Sequence, residues 1–226
     1  MVTMMSRTVG AREMTYEAGK LAKLADGAVV VTYGQTQVLA TCVRSNPREG
    51  IDFFPLTIDV EERAYAAGKI PGSFFRREGR PGETAILTAR LIDRPLRPTF
   101  KDGFSDEVQV VVTVLSVDGE NPYDIPAMNA AACAVGLAGL PFDGPVASVR
   151  LGLIRGEWTV NPTFQELEDA TFDIVVAGSK NPDGGVDILM IEGEAPVLTW
   201  PLLADDTGAV APTEEVVARG LDVAKA

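Results

Sequence analysis

The sequence predicts an α+β domain built around a mixed β-sheet. Three observations lead to this fold class. Short segments rich in β-branched residues, separated by two-residue turns, fill the first quarter of the chain. A nearly continuous apolar run, VQVVVTVLSV, covers residues 108–117, and an Ala-rich helical segment follows it at residues 126–137. Strand patterns return after that helix, so helices and strands are expected to pack as layers of one domain.

The first strands are predicted from their turns and their β-branched content. Asp26-Gly27 and Gly34-Gln35 are two-residue joints typical of tight hairpins, and the segment between them reads AVVVTY. We therefore expect an antiparallel meander followed by one further strand. The predicted strands cover residues 20–25, 28–33, 36–44 and 53–60.

A loop and a helix are expected next. Residues 68–81 are punctuated by Gly and Pro, which predicts a loop, and residues 83–94 predict a helix. Pro95 and Pro98 should end or kink this helix, because proline lacks the amide donor and disfavours helical geometry in the residue before it. The apolar run at 108–117 predicts a strand that is covered on both faces.

The second half predicts two strand pairs and two capped helices. Arg155-Gly156 joins the strands of a hairpin, Thr163 and Glu166 form a capping box, and Thr213 caps a helix with an acidic first turn. The remaining predictions are a buried helix at 126–137, hairpin strands at 146–154 and 157–160, paired strands at 172–177 and 186–192, and an irregular segment at 196–210.

The predicted elements divide the chain into a domain and a connector. We expect residues 1–195 to form one domain and residues 196–226 to lead out of it into a helical segment. Because the helix that begins at Thr213 is still running at Ala226, we also expect the natural chain to continue beyond this sequence.

Composition excludes several kinds of chemistry. The 226 residues contain no histidine, which rules out Ser-His-Asp and Cys-His catalysis and any metal site with a histidine ligand. Cys42 and Cys133 lie far apart in apolar surroundings, a pattern typical of buried free thiols. With no apolar run of about 18 residues and no secretion signal, a cytoplasmic protein without a membrane role is expected.

One window of the sequence is strongly basic in an acidic chain. Residues 63–101 hold nine of the 20 Lys and Arg residues but only three of the 32 Asp and Glu residues. Phe74 and Phe75 precede Arg76 and Arg77 directly. Since arginines attract phosphates and aromatic rings stack on unpaired bases, the window predicts contact with a polyanion such as single-stranded nucleic acid. The alternative is a solvated basic loop beside acidic neighbours.

The arginines of this window fall into two groups. Arg76, Arg77 and Arg80 lie on the predicted loop, whereas Arg90 and Arg94 are spaced i, i+4 and share one face of the following helix. Arg97 lies beyond Pro95, and its face cannot be assigned from the sequence. Arginine suits bidentate phosphate contacts, but Glu78, Glu83 and Asp93 offer an alternative network that would neutralise part of the charge.

Two groups of acidic residues were considered as sites for Mg²⁺, which prefers oxygen ligands. Asp59, Glu61 and Glu62 lie where a strand runs into a loop, and Asp169 and Asp173 flank another strand start. In so acidic a chain such groups arise by chance, so the sequence assigns no metal ligands. It also shows no nucleophile with an evident activating base, and no catalytic residues are assigned.

Several segments of the chain resemble the first core domain of the bacterial polynucleotide phosphorylase family. The resemblance covers about residues 7–195 and is carried by GKLAKLADGAVVVTYGQTQVLATC, DFFPLTIDVEERAYAAGKIPGSFFRREGRPGETAILTARLIDRPLRP, EVQVVVTVLSVD, AMNAAACAVGLAGLPFDGP and DIVVAGS. It implies an RNase PH-like fold (ribosomal protein S5 domain 2-like) and a ring-shaped homotrimer around an RNA channel. In that family the complete enzyme degrades RNA from the 3′ end with inorganic phosphate and releases nucleoside diphosphates.

The resemblance also implies roles for particular residues. Phe74, Phe75, Arg76 and Arg77 match a Phe-Phe-Arg-Arg loop that grips single-stranded RNA in the family's channel. Further basic positions along the RNA path or the phosphate region are matched by Arg80, Arg90, Arg94 and Arg97. The family's Mg²⁺ is expected to bind in a second half of the protein, with the KH and S1 RNA-binding domains after it.

The sequence departs from the family's catalytic pattern at one place. Where the catalytic half carries Asp-Phe-Lys-Val-Ala-Gly, residues 173–178 read DIVVAG, so Asp173 is kept and Val175 replaces the lysine. The first hypothesis is therefore a core domain that threads RNA and scaffolds the ring while the reaction occurs elsewhere. The second is a non-catalytic RNA-binding ring subunit of the exosome type, and the third is a phosphorolytic enzyme that uses Asp173 and another carboxylate with Mg²⁺.

Overall fold

The computed structural model describes residues 2–47, 50, 52–72, 74–197, 199–204 and 208–226. These residues form ten strands and five α-helices. The strands are β1 (Thr3–Val9), β2 (Arg12–Ala18), β3 (Gly27–Tyr33), β4 (Thr36–Ser45), β5 (Leu56–Glu62), β6 (Glu107–Ser116), β7 (Val146–Ile154), β8 (Glu157–Val160), β9 (Ala170–Lys180) and β10 (Val186–Glu194). The helices are α1 (Glu83–Leu96), α2 (Asp124–Leu137), α3 (Phe164–Glu168), α4 (Thr199–Ala204) and α5 (Glu214–Lys225).

The strands form two sheets, and the α+β fold class is confirmed. The larger sheet has the order β1-β2-β3-β4-β6-β5, and it is mixed because β5 runs parallel to β6 while the other pairs are antiparallel. The smaller sheet has the order β10-β9-β7-β8 and is antiparallel throughout. A crossover of about 45 residues, which carries the basic loop and α1, separates the parallel strands β5 and β6, as such a pairing requires.

Helix α2 lies between the two sheets and forms the centre of the core. Its small side chains let it approach β3 so closely that a Cβ on Gly27 would stand 2.0 Å from the Ala134 carbonyl oxygen. The buried Asn129 amide exchanges hydrogen bonds of 2.9 Å with the backbone of Ser148 on β7. Satisfying these buried polar groups fixes the helix against the smaller sheet.

Helix α5 covers the opposite face of the smaller sheet. Trp158 on β8 donates a hydrogen bond from its indole Nε1 to the Val216 carbonyl at 3.2 Å. Gly220 lies against the same ring, where a Cβ would stand 2.6 Å from Trp158 Cε2. Thr213 caps the helix by accepting from the Val216 amide, as predicted. The boundary at residue 195 stays a prediction.

Three sequence predictions about the elements are wrong. Residues 20–25 form turns and bends, and β1 and β2 precede them unpredicted. The side chains of β1 are largely exposed, whereas β2 alternates Met14, Tyr16 and Ala18 with polar residues. Strand β6 is fully buried on one face only; Gln109 on its other face is exposed. The segment predicted as irregular, residues 196–210, contains α4.

Within the described residues no helix is long and apolar enough to cross a membrane.

The remaining elements agree closely with the sequence. The hairpin β7–β8, the α3 capping box and the β9–β10 pair occur where predicted. Helix α1 accommodates Pro95 in its last turn, ends at Leu96, and passes into a 3₁₀ turn over residues 97–99. Proline removes one hydrogen bond to the preceding turn, and the helix ends one residue later, as the sequence predicts.

Candidate nucleic-acid interface and adjoining cleft

The basic loop starts from a short turn that is fixed to the larger sheet. After β5, a 3₁₀ turn over Ala64–Ala67 ends at Gly68, whose φ of 65° is readily adopted by glycine. The Ala66 carbonyl accepts a hydrogen bond of 3.1 Å from the Val117 amide just past β6. The loop that follows, up to α1, therefore projects from a rigid edge of the sheet.

Residues 74–77, which we call the loop tip, present aromatic rings and guanidinium groups to solvent. Phe74 is 93% exposed and Phe75 is 71% exposed. The two rings meet edge to face at 5.4 Å, and the Arg77 guanidinium lies 5.1 Å from the Phe75 ring centroid. Arg76 is exposed and has a positive φ of 50°. Exposed rings beside cations are suited to stacking on bases and contacting phosphates.

The arginines after the tip have different surroundings. Arg80 is exposed on the loop, and Arg90 and Arg94 are exposed one turn apart on α1. Arg94 forms an ion pair with Glu192 of β10. The hydrogen bond from Arg94 lowers the pKa of Glu192, and the charge of Arg90 lowers it further. The pair therefore bridges α1 and the smaller sheet.

Arg97 is engaged in contacts within the domain. It donates to both Asp93 carboxylate oxygens at 2.6 and 3.0 Å, and to the carbonyls of Phe54 and Leu56 at 3.2 and 3.1 Å. These bonds fasten the end of α1 to the start of β5. The structure thus brings residues 74–77 together at one tip, whereas Arg94 and Arg97 are paired inside the domain. The RNA-binding role of all eight predicted residues stays a prediction.

A cleft of about 360 Å³ opens between α1 and the smaller sheet. Helix α1 contributes two leucines, two threonines and Arg94, and most of the charged side chains from the sheet are acidic. Its charged and polar lining residues are Thr84, Thr88, Arg94, Tyr123, Asp124, Arg150, Asp173, Glu192 and Glu194. Asp173 and Val175, which fall within the segment that matches the family's catalytic motif, both line the cleft.

Arg150 holds two carboxylates in this cleft. Its Nη2 atom lies 2.7 Å from Asp124 Oδ2, and its Nη1 atom lies 3.6 Å from Asp173 Oδ2. Burial raises the pKa of Asp173 to about 6, although the charge of Arg150 acts in the opposite direction. Asp173 Oδ1 is buried without a hydrogen-bond partner. The carboxylate is therefore the main species near neutral pH, and its pKa is closer to neutrality than that of an exposed aspartate.

Val175 places an apolar side chain in the cleft, at the position where the family's catalytic motif has a lysine. It is 3% exposed and pairs with Arg150 on one side and Glu192 on the other in the register of the sheet. An apolar side chain at this point can neither bind phosphate nor transfer a proton. The charged side chains around Val175 form ion pairs with one another. No catalytic residue is assigned among them.

The acidic groups considered for Mg²⁺ do not converge. Asp59 accepts from Gln109, Glu61 pairs with Arg63, and Glu62 accepts from Tyr123 at 2.7 Å. Within the described ranges there is no group of three or more acidic or cysteine side chains that could hold a metal ion. The described residues therefore offer no cluster for Mg²⁺, which the resemblance assigns to a second half of the protein, and no reaction step is derived through it.

Two family models match consecutive parts of the chain. The model of the 3′ exoribonuclease family, domain 1, matches residues 10–141, and the model of domain 2 of the same family matches residues 144–204. Together they account for most of the sequence. The chain belongs to the 3′ exoribonuclease family. Its RNase PH-like fold, predicted from the resemblance, is confirmed.

The chain is also similar to curated proteins of much greater length. It is 60% identical over 217 residues to a polyribonucleotide nucleotidyltransferase of Acidothermus cellulolyticus, and 59% identical over 218 residues to one of Streptomyces antibioticus. Each match covers 96% of this chain but only 28% and 29% of the relative. The chain thus spans less than a third of the length of these relatives, and it is homologous to their RNase PH-like core.

Solved structures of low sequence identity share the fold. An Archaeoglobus fulgidus exosome with RNA bound to its active site matches with a TM-score of 0.64 and 17% identity, covering 97% of this chain and 85% of that chain. Rice Rrp46 matches with a TM-score of 0.62 and 15% identity, covering 86% and 81%. These likenesses support the architecture alone.

Sequence reasoning missed most of the cleft. Asp124, Arg150, Glu192 and Glu194 were not singled out, and Arg94 was assigned to a basic face without its partner. The two ends of the Arg94–Glu192 pair are 98 residues apart in the chain. No local pattern joins such residues, and only the isolated arginine on a strand, Arg150, offered a signal.

Proposed function

We propose that this chain is the first RNase PH-like core of a polynucleotide phosphorylase and that it grips single-stranded RNA with residues 74–77. The observation that carries the proposal is the loop tip, where two largely bare phenylalanine rings stand beside two arginines. In a chain with a net charge of −12, such a tip is unlike the surrounding surface. Its aromatic rings can stack on bases and its guanidinium groups can contact phosphates, which is how proteins bind single-stranded RNA without sequence preference.

The same proposal places bond cleavage outside this chain. Val175 stands where the family's catalytic motif has lysine, and Arg150 is occupied by Asp124 and Asp173. In the complete protein we propose phosphorolysis of RNA from the 3′ end, with inorganic phosphate consumed and nucleoside diphosphates released. Mg²⁺ would be held by the remaining part of the protein.

The proposed assembly follows from the family resemblance, and the proposed compartment follows from the two free thiols. We propose a ring-shaped homotrimer with RNA threaded past the loop tips, in which Arg80 and Arg90 extend the basic path. Arg94 and Arg97 would act on that path through the position of α1. Cys42 and Cys133 are free thiols, which agrees with a reducing compartment such as the cytoplasm.

A second candidate is a non-catalytic RNA-binding ring subunit of the exosome type. It is favoured by the fold likeness to exosome chains, one of which is described with RNA bound to its active site. The identity of 57–60% to polyribonucleotide nucleotidyltransferases favours the first candidate. The two differ in whether a downstream catalytic part works together with this chain.

RNA binding is tested by replacing the arginines of the tip. We expect Arg76→Ala with Arg77→Ala to weaken binding of fluorescent oligo(A) and to reduce the slope of log affinity against log salt by about 1.4, since each lost phosphate contact to a single strand contributes about 0.7. Fluorescence anisotropy over a salt titration measures both quantities. Lys20→Ala with Lys23→Ala removes the same charge outside the window and should leave the slope nearly unchanged. An unaltered slope in the arginine variant would dismiss the proposed role.

A further inference from the structure

Glu78 closes the base of the loop that carries the tip. Its Oε1 atom accepts a hydrogen bond of 2.8 Å from the backbone N–H of Ala64, 14 residues earlier in the chain. Ala64 opens the 3₁₀ turn, and the residue before it, Arg63, supplies no side-chain acceptor for that turn. The carboxylate of Glu78 therefore satisfies an amide at the start of a helical turn, where intrahelical acceptors are lacking.

The contact joins the exposed part of the loop that carries the tip to a turn that is fixed to the larger sheet. The turn that donates to Glu78 is itself bonded to the sheet through the Val117 amide and the Ala66 carbonyl. Ala64 and Glu78 line an open hollow of about 560 Å³ together with Phe75 and Arg77. The Glu78 contact therefore ties the chain directly after the tip to a turn that is bonded to the larger sheet.

We propose that Glu78 is a positioning residue for single-stranded RNA, because it holds the loop closed and so orients Phe75 and Arg77 toward the strand. The inference rests on the proposed role of the loop tip in RNA binding. It runs against simple electrostatics. A carboxylate next to Arg76 and Arg77 repels a polyanion, so charge alone predicts that any removal of Glu78 strengthens binding.

Two substitutions of Glu78 separate the effect of its hydrogen bond on RNA binding from the effect of its charge. Glu78→Ala and Glu78→Gln remove the same charge, but the glutamine keeps an oxygen that accepts from the Ala64 amide. We expect Glu78→Gln to bind oligo(A) at least as tightly as the unmodified chain. Glu78→Ala should bind about three- to tenfold more weakly than Glu78→Gln, since loss of one surface hydrogen bond lowers the population of the closed loop by that order.

A second readout follows the loop without RNA. Amide hydrogen exchange of Ala64, measured by NMR on the free chain, should be faster in Glu78→Ala than in Glu78→Gln, because only the glutamine still protects that amide. Unfolding midpoints of the two variants should agree, since Glu78 is exposed. Glu83→Ala and Glu83→Gln form a matched control in the first turn of α1, and these two should bind oligo(A) equally.

The outcomes distinguish this inference from the function on which it rests. Weaker binding and faster Ala64 exchange in Glu78→Ala than in Glu78→Gln support it. Equal affinities of the two Glu78 variants, with binding still weakened by Arg76→Ala and Arg77→Ala, overturn the positioning role and leave the RNA-binding tip in place. Unchanged binding in the double-arginine variant removes both together.

Discussion

At the residue scale, Asp173 and Val175 are the two residues that explain why this chain is proposed to bind RNA without breaking its bonds. Both side chains point from β9 into the cleft, and each is at least nine-tenths buried. The carboxylate that survives from the motif is held in an ion-paired group with Arg150 and Asp124, and the position that should carry a lysine is apolar. What remains is a buried charge whose burial is only partly compensated.

Asp173 should make stability depend on pH in a defined direction. Its pKa rises from 3.8 in the unfolded chain to about 6 in the folded chain because burial favours the neutral carboxyl. The protonated form therefore stabilises the fold fully below pH 3.8, and this contribution is lost as pH rises through 6. Relative to Asp173→Asn, the unmodified chain should lose about 2–3 kcal/mol of unfolding free energy between pH 4 and pH 7.

Urea unfolding of both proteins at several pH values measures this difference. Taking the difference between the two proteins cancels the titration of the other carboxylates, including Asp118, whose backbone hydrogen bonds lower its pKa. A difference that stays constant with pH, or that grows in favour of the unmodified chain as pH rises, would contradict the assignment of a raised pKa to Asp173.

At the element scale, the packing of α5 depends on a glycine. The Trp158 ring is held by its bond to the Val216 carbonyl and leaves no room for a Cβ at Gly220. In an exposed helix alanine would stabilise relative to glycine. Here the close approach of helix and ring opposes that preference, so packing is expected to outweigh helix propensity.

Gly220→Ala should therefore destabilise the chain by about 1–3 kcal/mol, as overpacked sites generally do. Gly136→Ala in α2 is the matched control, because a Cβ there would meet Phe142 at an ordinary 3.7 Å. It should be neutral or stabilise by up to about 1 kcal/mol. Denaturant unfolding of the two variants checks the pair. Equal stability of both would show that α5 does not rely on the contact with Trp158.

Local signals in the sequence predicted most elements but not the contacts between them. The β7–β8 hairpin and the α3 capping box depend on residues within a few positions of each other, such as Thr163 and Glu166. Strand β1 was missed because its side chains are largely exposed and no buried face imposes alternation, whereas β2 was missed although Met14 and Tyr16 alternate with polar residues. The Asp124–Arg150–Asp173 group and the bond from Ala64 to Glu78 join residues that only the fold brings together.

At the scale of the whole molecule, the chain combines a packed two-sheet scaffold with the exposed loop tip. Two sheets packed on α2 fix the edge from which the loop tip projects, and the cleft between α1 and the smaller sheet is lined by internal ion pairs. This division of features agrees with a core domain that guides RNA while a further part of the protein breaks the bond. It also explains why the positive charge is concentrated in one window.

Release of ADP from poly(A) tests this division most directly. The chain is incubated with poly(A), inorganic phosphate and Mg²⁺, alone and together with the remaining part of the protein, and ADP is quantified. We predict no release above background from the chain alone and clear release once the other part is present. No release from the combined proteins would favour the exosome-type subunit. Appreciable release by the chain alone would contradict the central claim that the bond is broken elsewhere.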